Sequence, residues 1–139
     1  MSHASTPLRT FLAVYPDAAT QVRLTELTAR LRPELTGVRW SPDHQLHFTL
    51  RFFGDLDPEA RARVIEVLAA AAPALAPVSF PLGGLGAFPD WARARVIWVG
   101  AGAGREALEE IAHRLDLRFA EAGLLRADRP FRAHLTLAR

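Results

Sequence analysis

Two short stretches of the chain carry one four-residue pattern. His47-Phe48-Thr49-Leu50 reads His-x-Thr-Leu, and His134-Leu135-Thr136-Leu137 repeats it 87 positions later. In an extended strand alternate side chains share a face. His47, Thr49 and Arg51 are therefore expected on one side, with Phe48, Leu50 and Phe52 on the other, in a core. His134 and Thr136 likewise share a face, with Leu135 and Leu137 opposite. Each strand offers an imidazole and a hydroxyl about 7 Å apart, from a rise of about 3.3 Å per residue. Two such strands facing one another would line a cleft with two imidazoles and two hydroxyls.

That set suits a specific chemistry. Imidazole titrates near ~6.5, so at neutral pH one ring can take a proton from a nucleophile while the other returns one to a leaving oxygen. Hydroxyls donate to the non-bridging oxygens of a phosphate, and an arginine stabilises the charge that builds there. In-line displacement at a cyclic phosphodiester needs these groups and no metal. With five histidines in 139 residues, two chance copies of the pattern arise with a probability on the order of one in a thousand. A metal site fits less well. His44 and His47 are three apart, but Pro42, Asp43 and Gln45 set a loop there, and no third ligand stands at ligand spacing. His113, beside Arg114 and Asp116, reads as the solvated side of a helix, and His3 as part of a disordered tail.

Composition narrows the classes. The length suits one compact domain over residues 1–139, and half the chain is hydrophobic. The absence of Cys excludes disulfides, thiolate chemistry and Cys-based zinc sites. All 17 basic residues are Arg. Without Lys there is no Schiff base, no nucleotidyl-lysine and no Walker lysine. A net charge of +2 is too small for a polycationic nucleic-acid coat, although Arg is well suited to bidentate phosphate contacts. The start lacks a signal-peptide apolar run with a cleavage site. No stretch approaches the ~20 apolar residues of a membrane span, since Pro73, Pro77 and Glu66 interrupt the most apolar one. A cytoplasmic protein without membrane association is expected.

The elements that must position the two motifs follow from periodicity. Arg9–Tyr15 is a strand, ended by Pro16. Asp17 caps a helix over Ala18–Arg32 whose apolar residues are Val22, Leu24, Leu27 and Leu31. Val38–Trp40 is a brief strand and Leu46–Phe53 the first motif strand. Asp57 and Pro58 start a second helix that fails at Pro73. Residues 77–89 form an irregular strand pair or one long bent strand, and Arg93–Gly100 a buried strand. A third helix buries Leu108, Ile111, Leu115 and Phe119 and ends at Gly123. Arg129–Arg139 is the final strand. The order β-α-β-β-α-β-β-α-β places each motif strand after a helix, which suggests two similar lobes.

"HFTLRFFGD" and "HLTLAR", with "RTFLAVYPD" before them and "GLGAFP" and "RVIWVG" between, resemble the 2H phosphoesterase superfamily. Within it the chain is most similar to the bacterial RNA 2′,3′-cyclic phosphodiesterases, also called LigT-like or 2′-5′ RNA ligase proteins. The resemblance runs from about Arg9 to Arg139. It implies a bilobed α+β fold, with two pseudo-symmetric lobes of antiparallel sheet, outer helices and a central cleft. It implies a monomer without cofactor or metal that opens RNA ends bearing 2′,3′-cyclic phosphate, or cyclic nucleotides, to 2′-phosphates. Carried over by position, His47 and His134 are the catalytic pair, and Thr49 and Thr136 hold phosphate oxygens. His47 is preferred as the acid toward the leaving 3′ oxygen and His134 as the base toward water; the reverse assignment stays open. Arg139 matches the arginine that closes the second motif. Strict alternation would turn it to the Leu135/Leu137 face, so reaching the site needs a bulge or the strand end. Among Trp40, Phe48, Phe88, Trp91 and Trp98, Trp40 and Trp91 are the better candidates to stack on a base, while Phe48 and Trp98 suit a core.

Two features depart from the family pattern. Ala133 stands where a Pro usually precedes the second His. Members also continue for a few tens of residues past the second motif, so the chain reads as lacking C-terminal strands. Two other functions use the same residues: reversible ligation or cleavage at 2′-5′ RNA junctions, and a binding module for RNA ends or cyclic nucleotides without turnover. Intact His and Thr in both motifs disfavour the second of these.

Overall fold

A computed structural model describes residues 5–139; His3 lies outside the described residues. The elements are β1 (Leu8–Val14), α1 (Ala18–Leu31), β2 (Phe48–Leu56), α2 (Pro58–Ala71), β3 (Leu82–Phe88), β4 (Val96–Ala101), α3 (Arg105–Glu121) and β5 (His134–Ala138). Single 3₁₀ turns lie at Asp43–Gln45, Ala72–Ala74 and Trp91–Arg93. β1 pairs with β2, and β3-β4-β5 form a second sheet that is antiparallel throughout. The class is α+β. Among the described residues no helix is long and apolar enough to cross a membrane.

The helix ends follow local chemistry. Asp17 accepts a hydrogen bond from the Thr20 N–H, and Asp57 accepts one from Ala60 with Pro58 in the first turn. Each carboxylate satisfies a donor the helix leaves unpaired. At the end of α3, Gly123 takes φ +88°. Its N–H donates to the Ala120 carbonyl at 3.0 Å and that of Leu124 to Phe119 at 2.9 Å, a Schellman closure that favours glycine. On α1 the buried line runs through Leu24 and Thr28, and Val22, expected inward, is exposed. At about 100° per residue, Val22 and Leu24 lie on opposite sides of the helix, so only one of them can face the core.

The chain divides into two compact units, each assembled from three stretches of sequence. One comprises the described residues through Leu12, Thr49–Ser79 and Gly104–Arg132. Its core joins Val64 and Ala71 of α2 to Leu115 and Phe119 of α3, with Leu12, Phe53, Leu56 and Leu124 packed against them. Phe53 meets Phe119 edge-on at 5.1 Å. Burial of side chains of this size stabilises by about 1.5–3 kcal/mol each. The other unit comprises Ala13–Phe48, Phe80–Ala103 and Ala133–Arg139. Here Ile97 and Val99 of β4 and Leu135, Leu137 and Ala138 of β5 are buried. Phe48 is also buried, edge-on to Phe80 at 5.6 Å.

Three strand expectations are corrected. Alternation along β2 holds only to Leu50. Arg51, expected on an open face with His47 and Thr49, is 9% exposed, whereas Phe52, expected in the core, is 50% exposed under the Arg9 guanidinium. The reason is tertiary: Arg51 donates to the Asp116 carboxylate and the Leu125 carbonyl, and it lies over the Phe53 ring. Val38–Trp40 is not a full strand but a single bridge, Trp40 to Ala138. The last strand begins at His134 rather than Arg129. Residues 77–89 contain one strand with a register shift between Leu82 and Leu85, where Gly84 takes φ +74°.

Candidate active site

His134 opens β5 and pairs with Gly100 of β4, and Thr136 pairs with Trp98. Cross-strand partners share a face, so Trp98, His134 and Thr136 stand together, with Val99 and Leu135 turned to the core. The His134 ring is flanked edge-on by Phe88 at 5.2 Å and by Trp98 at 6.1 Å. Phe88 and Trp98 also touch each other at 5.1 Å. Gly86 makes room for the indole, and Gly100 for the neighbouring backbone of β3. A Cβ on Gly86 would fall 2.1 Å from Trp98 Cζ2, and one on Gly100 would fall 3.1 Å from the Gly83 carbonyl oxygen. Among the described residues the buried Trp98 Nε1 has no hydrogen-bond partner.

His47 lies one residue before β2, after the turn at Asp43–Gln45. Its Nδ1 is bonded to the Gln45 carbonyl. A carbonyl only accepts, so Nδ1 carries the proton and Nε2 is the nitrogen at which a proton can be exchanged with a ligand. The Tyr15 ring lies 5.6 Å from the imidazole and is 59% exposed. His47 and His134 belong to the same compact unit. Thr49 and Thr136 are both half-buried. Tyr15 was not singled out in the sequence, because it reads there only as the last residue of an apolar strand.

The end of β5 departs from strict alternation. Trp98 pairs with Thr136 but Ile97 pairs with Ala138, so the strand carries one extra residue between them. Leu137 and Ala138 are consequently both fully buried on the core side, and Arg139 falls on the His134/Thr136 side. The strand is extended outward by residues 39–41. Arg39 and Arg139 exchange backbone hydrogen bonds at 2.8 and 2.9 Å, and Ser41 donates to Leu137 at 2.8 Å. Trp40 bridges Ala138 and so shares its side, the opposite one from Thr136, with the Arg32 guanidinium 5.8 Å from its ring centroid. Trp91 is exposed in the turn after β3.

Arg51 lines a different concavity, of about 560 Å³, with His113, Asp116 and Arg126. Burial works to raise the Asp116 pKa, but hydrogen bonds from Arg126 and the Ala127 N–H and the charge of Arg51 hold it below the usual carboxylate value. This is a structural ion-pair network, and it contains neither motif histidine. His113 is exposed, as expected. Among the described residues no group of three His, Asp or Glu side chains is placed to hold a metal ion.

The sequence profile described as LigT like Phosphoesterase matches residues 14–98. The chain belongs to that family. This LigT-like phosphoesterase is 30% identical over 132 residues to the RNA 2′,3′-cyclic phosphodiesterase of Methanothermobacter thermautotrophicus, covering 95% of this chain and 71% of the relative. It is 36% identical over 115 residues to the protein of the same name from Aeropyrum pernix, covering 80% of this chain and 64% of that relative. Of solved structures, the apo form of Escherichia coli LigT is similar with a TM-score of 0.77 at 28% identity, over 97% of this chain and 73% of LigT. The chain thus spans about two thirds to three quarters of the length of these relatives.

Proposed function

We propose that this protein is a metal-independent phosphodiesterase that opens 2′,3′-cyclic phosphate ends of RNA to 2′-phosphates. The observation that carries the reading is the doubled His-x-Thr-Leu, its two histidines held in one compact unit. The names borne by relatives at about this level of identity support it. In the proposed step His134 takes a proton from water as the oxygen attacks phosphorus. The bond from phosphorus to the 3′ oxygen breaks, and His47 gives that oxygen its proton through Nε2. The Gln45 carbonyl on Nδ1 suits the donor role, because it fixes the ring orientation in both protonation states. Thr49 and Thr136 donate to the non-bridging oxygens, and Arg139 offsets the charge that develops on them.

The test is turnover of an RNA with a 2′,3′-cyclic end in excess EDTA, beside His47→Ala and His134→Ala. A 2′-phosphate product is expected, with each variant slower by about 10²–10⁴, the usual contribution of a positioned acid or base. Full activity in either variant would remove that histidine from the mechanism. Loss of wild-type turnover on chelation would end the metal-independent reading.

A further inference from the structure

Arg39 lies outside both motifs, yet the sheet brings it beside the second. It pairs directly with Arg139 through both backbone hydrogen bonds. Such a pair sets the two Cα atoms about 5.5 Å apart with both side chains on one face. Because of the extra residue in β5, that face is the one bearing His134 and Thr136. Both arginines are exposed, and among the described residues neither is ion-paired. Like charges directly opposite on a sheet are destabilising. Adjacent phosphates of one strand, each matched bidentately by one guanidinium fork, would offset that repulsion.

The pair also sits at a useful distance. Arg139 lies three positions beyond Thr136, or at most about 10 Å of strand at about 3.3 Å per residue. His134 is two residues further back. The guanidiniums thus lie along the strand from the imidazole and hydroxyl that would face the reacting phosphate. We infer that Arg39 holds a backbone phosphate one nucleotide away from the cyclic end, while Arg139 beside it faces the cyclic phosphate itself, so that Arg39 selects an oligonucleotide end over a mononucleotide. This rests on the phosphodiesterase reading given above.

The experiment measures binding, so that it does not depend on turnover. A fluorescent oligoribonucleotide ending in a 2′-phosphate is titrated with wild type, Arg39→Gln and Arg32→Gln over about 50–300 mM salt, with melting temperatures confirming that each is folded. Arg32→Gln removes the same charge from beside Trp40, on the other side of the strand. Arg39→Gln is expected to weaken binding about tenfold and to flatten the log–log salt slope by about 0.7, the release of one phosphate contact on a single strand. Arg32→Gln is expected to change neither beyond twofold, and a 2′-phosphorylated mononucleoside to bind wild type more weakly than the oligonucleotide. Equal effects of the two variants, an unchanged slope in Arg39→Gln, or equal affinity for mononucleoside and oligonucleotide would each overturn the inference. Wild-type turnover of the cyclic end, measured alongside, judges the phosphodiesterase reading separately. Absent turnover with an Arg39-specific loss of binding would refute catalysis and keep the Arg39 contact, and the converse would do the opposite.

Discussion

Replacing Asp116 by Ala should expose how much of the fold depends on one buried pair. Asp116 is 12% exposed and Arg51 9%, so water screens neither well. The carboxylate accepts from Arg51, from Arg126 at 2.8 Å and from the Ala127 N–H at 2.9 Å. Removing it leaves Arg51 with the Leu125 carbonyl and the face of Phe53, a buried cation without its counter-charge. The expected cost is about 3–5 kcal/mol. For a chain of this size that corresponds to a melting temperature lower by roughly 10–20 °C. Urea unfolding followed by tryptophan fluorescence and by far-UV circular dichroism measures it, with coincident transitions required for a two-state analysis. Removing both charges with Arg51→Met and Asp116→Leu should recover most of the loss, because an apolar pair does not pay the desolvation of two ions. The pH dependence has a definite sign. The folded carboxyl titrates below its usual value, so its stabilisation is complete above the ordinary ~3.9 and is lost as pH falls through the lower folded value. Asp116→Asn should therefore flatten the acid limb below about pH 4. A single-variant cost under ~1 kcal/mol, or a double variant as unstable as Asp116→Ala, would refute the reasoning.

Two smaller perturbations probe the elements around the site. Gly86→Ala would drive a Cβ to 2.1 Å from the Trp98 ring; overpacking of this kind costs about 1–3 kcal/mol, and since Trp98 flanks His134, a lower kcat is expected among the molecules that remain folded. Wild-type stability and rate in that variant would show that the indole moves freely. Asp57→Ala removes the acceptor for the Ala60 N–H at the start of α2 and should cost about 1 kcal/mol in urea unfolding, whereas an unchanged midpoint would mean that water replaces the cap.

What the sequence made legible was local. The caps at Asp17, Asp57 and Gly123 and the inward stripe of α3 need only nearby residues, and they were readable. The face shared by His134 and Thr136 follows from strand alternation alone. Arg51 was misplaced because its partner Asp116 lies 65 positions away, and nothing near Arg51 announces it. Val22 was misplaced because apolar character was counted without respecting the helical angle. Arg39 went unread for a different reason. It lies in the short stretch Val38–Trp40 that was expected to be extended, but nothing local says that this stretch adds to the outer side of β5, and its relation to Arg139 exists only in the paired register.

The extra residue between Thr136 and Ala138 works as a phase shift. Upstream of it the strand sends every second side chain toward the solvent side, and downstream it does the same one step out of phase. Two consecutive apolar residues can then be swallowed by the core without a polar group being lost from the opposite side. What is protected in this stretch is therefore chain length as much as chemistry. A conservative exchange at Leu137 changes a volume, while the loss or gain of one residue inverts the parity of everything beyond it. Arg139 would then point into the core, and its cross-strand neighbour would face an empty place.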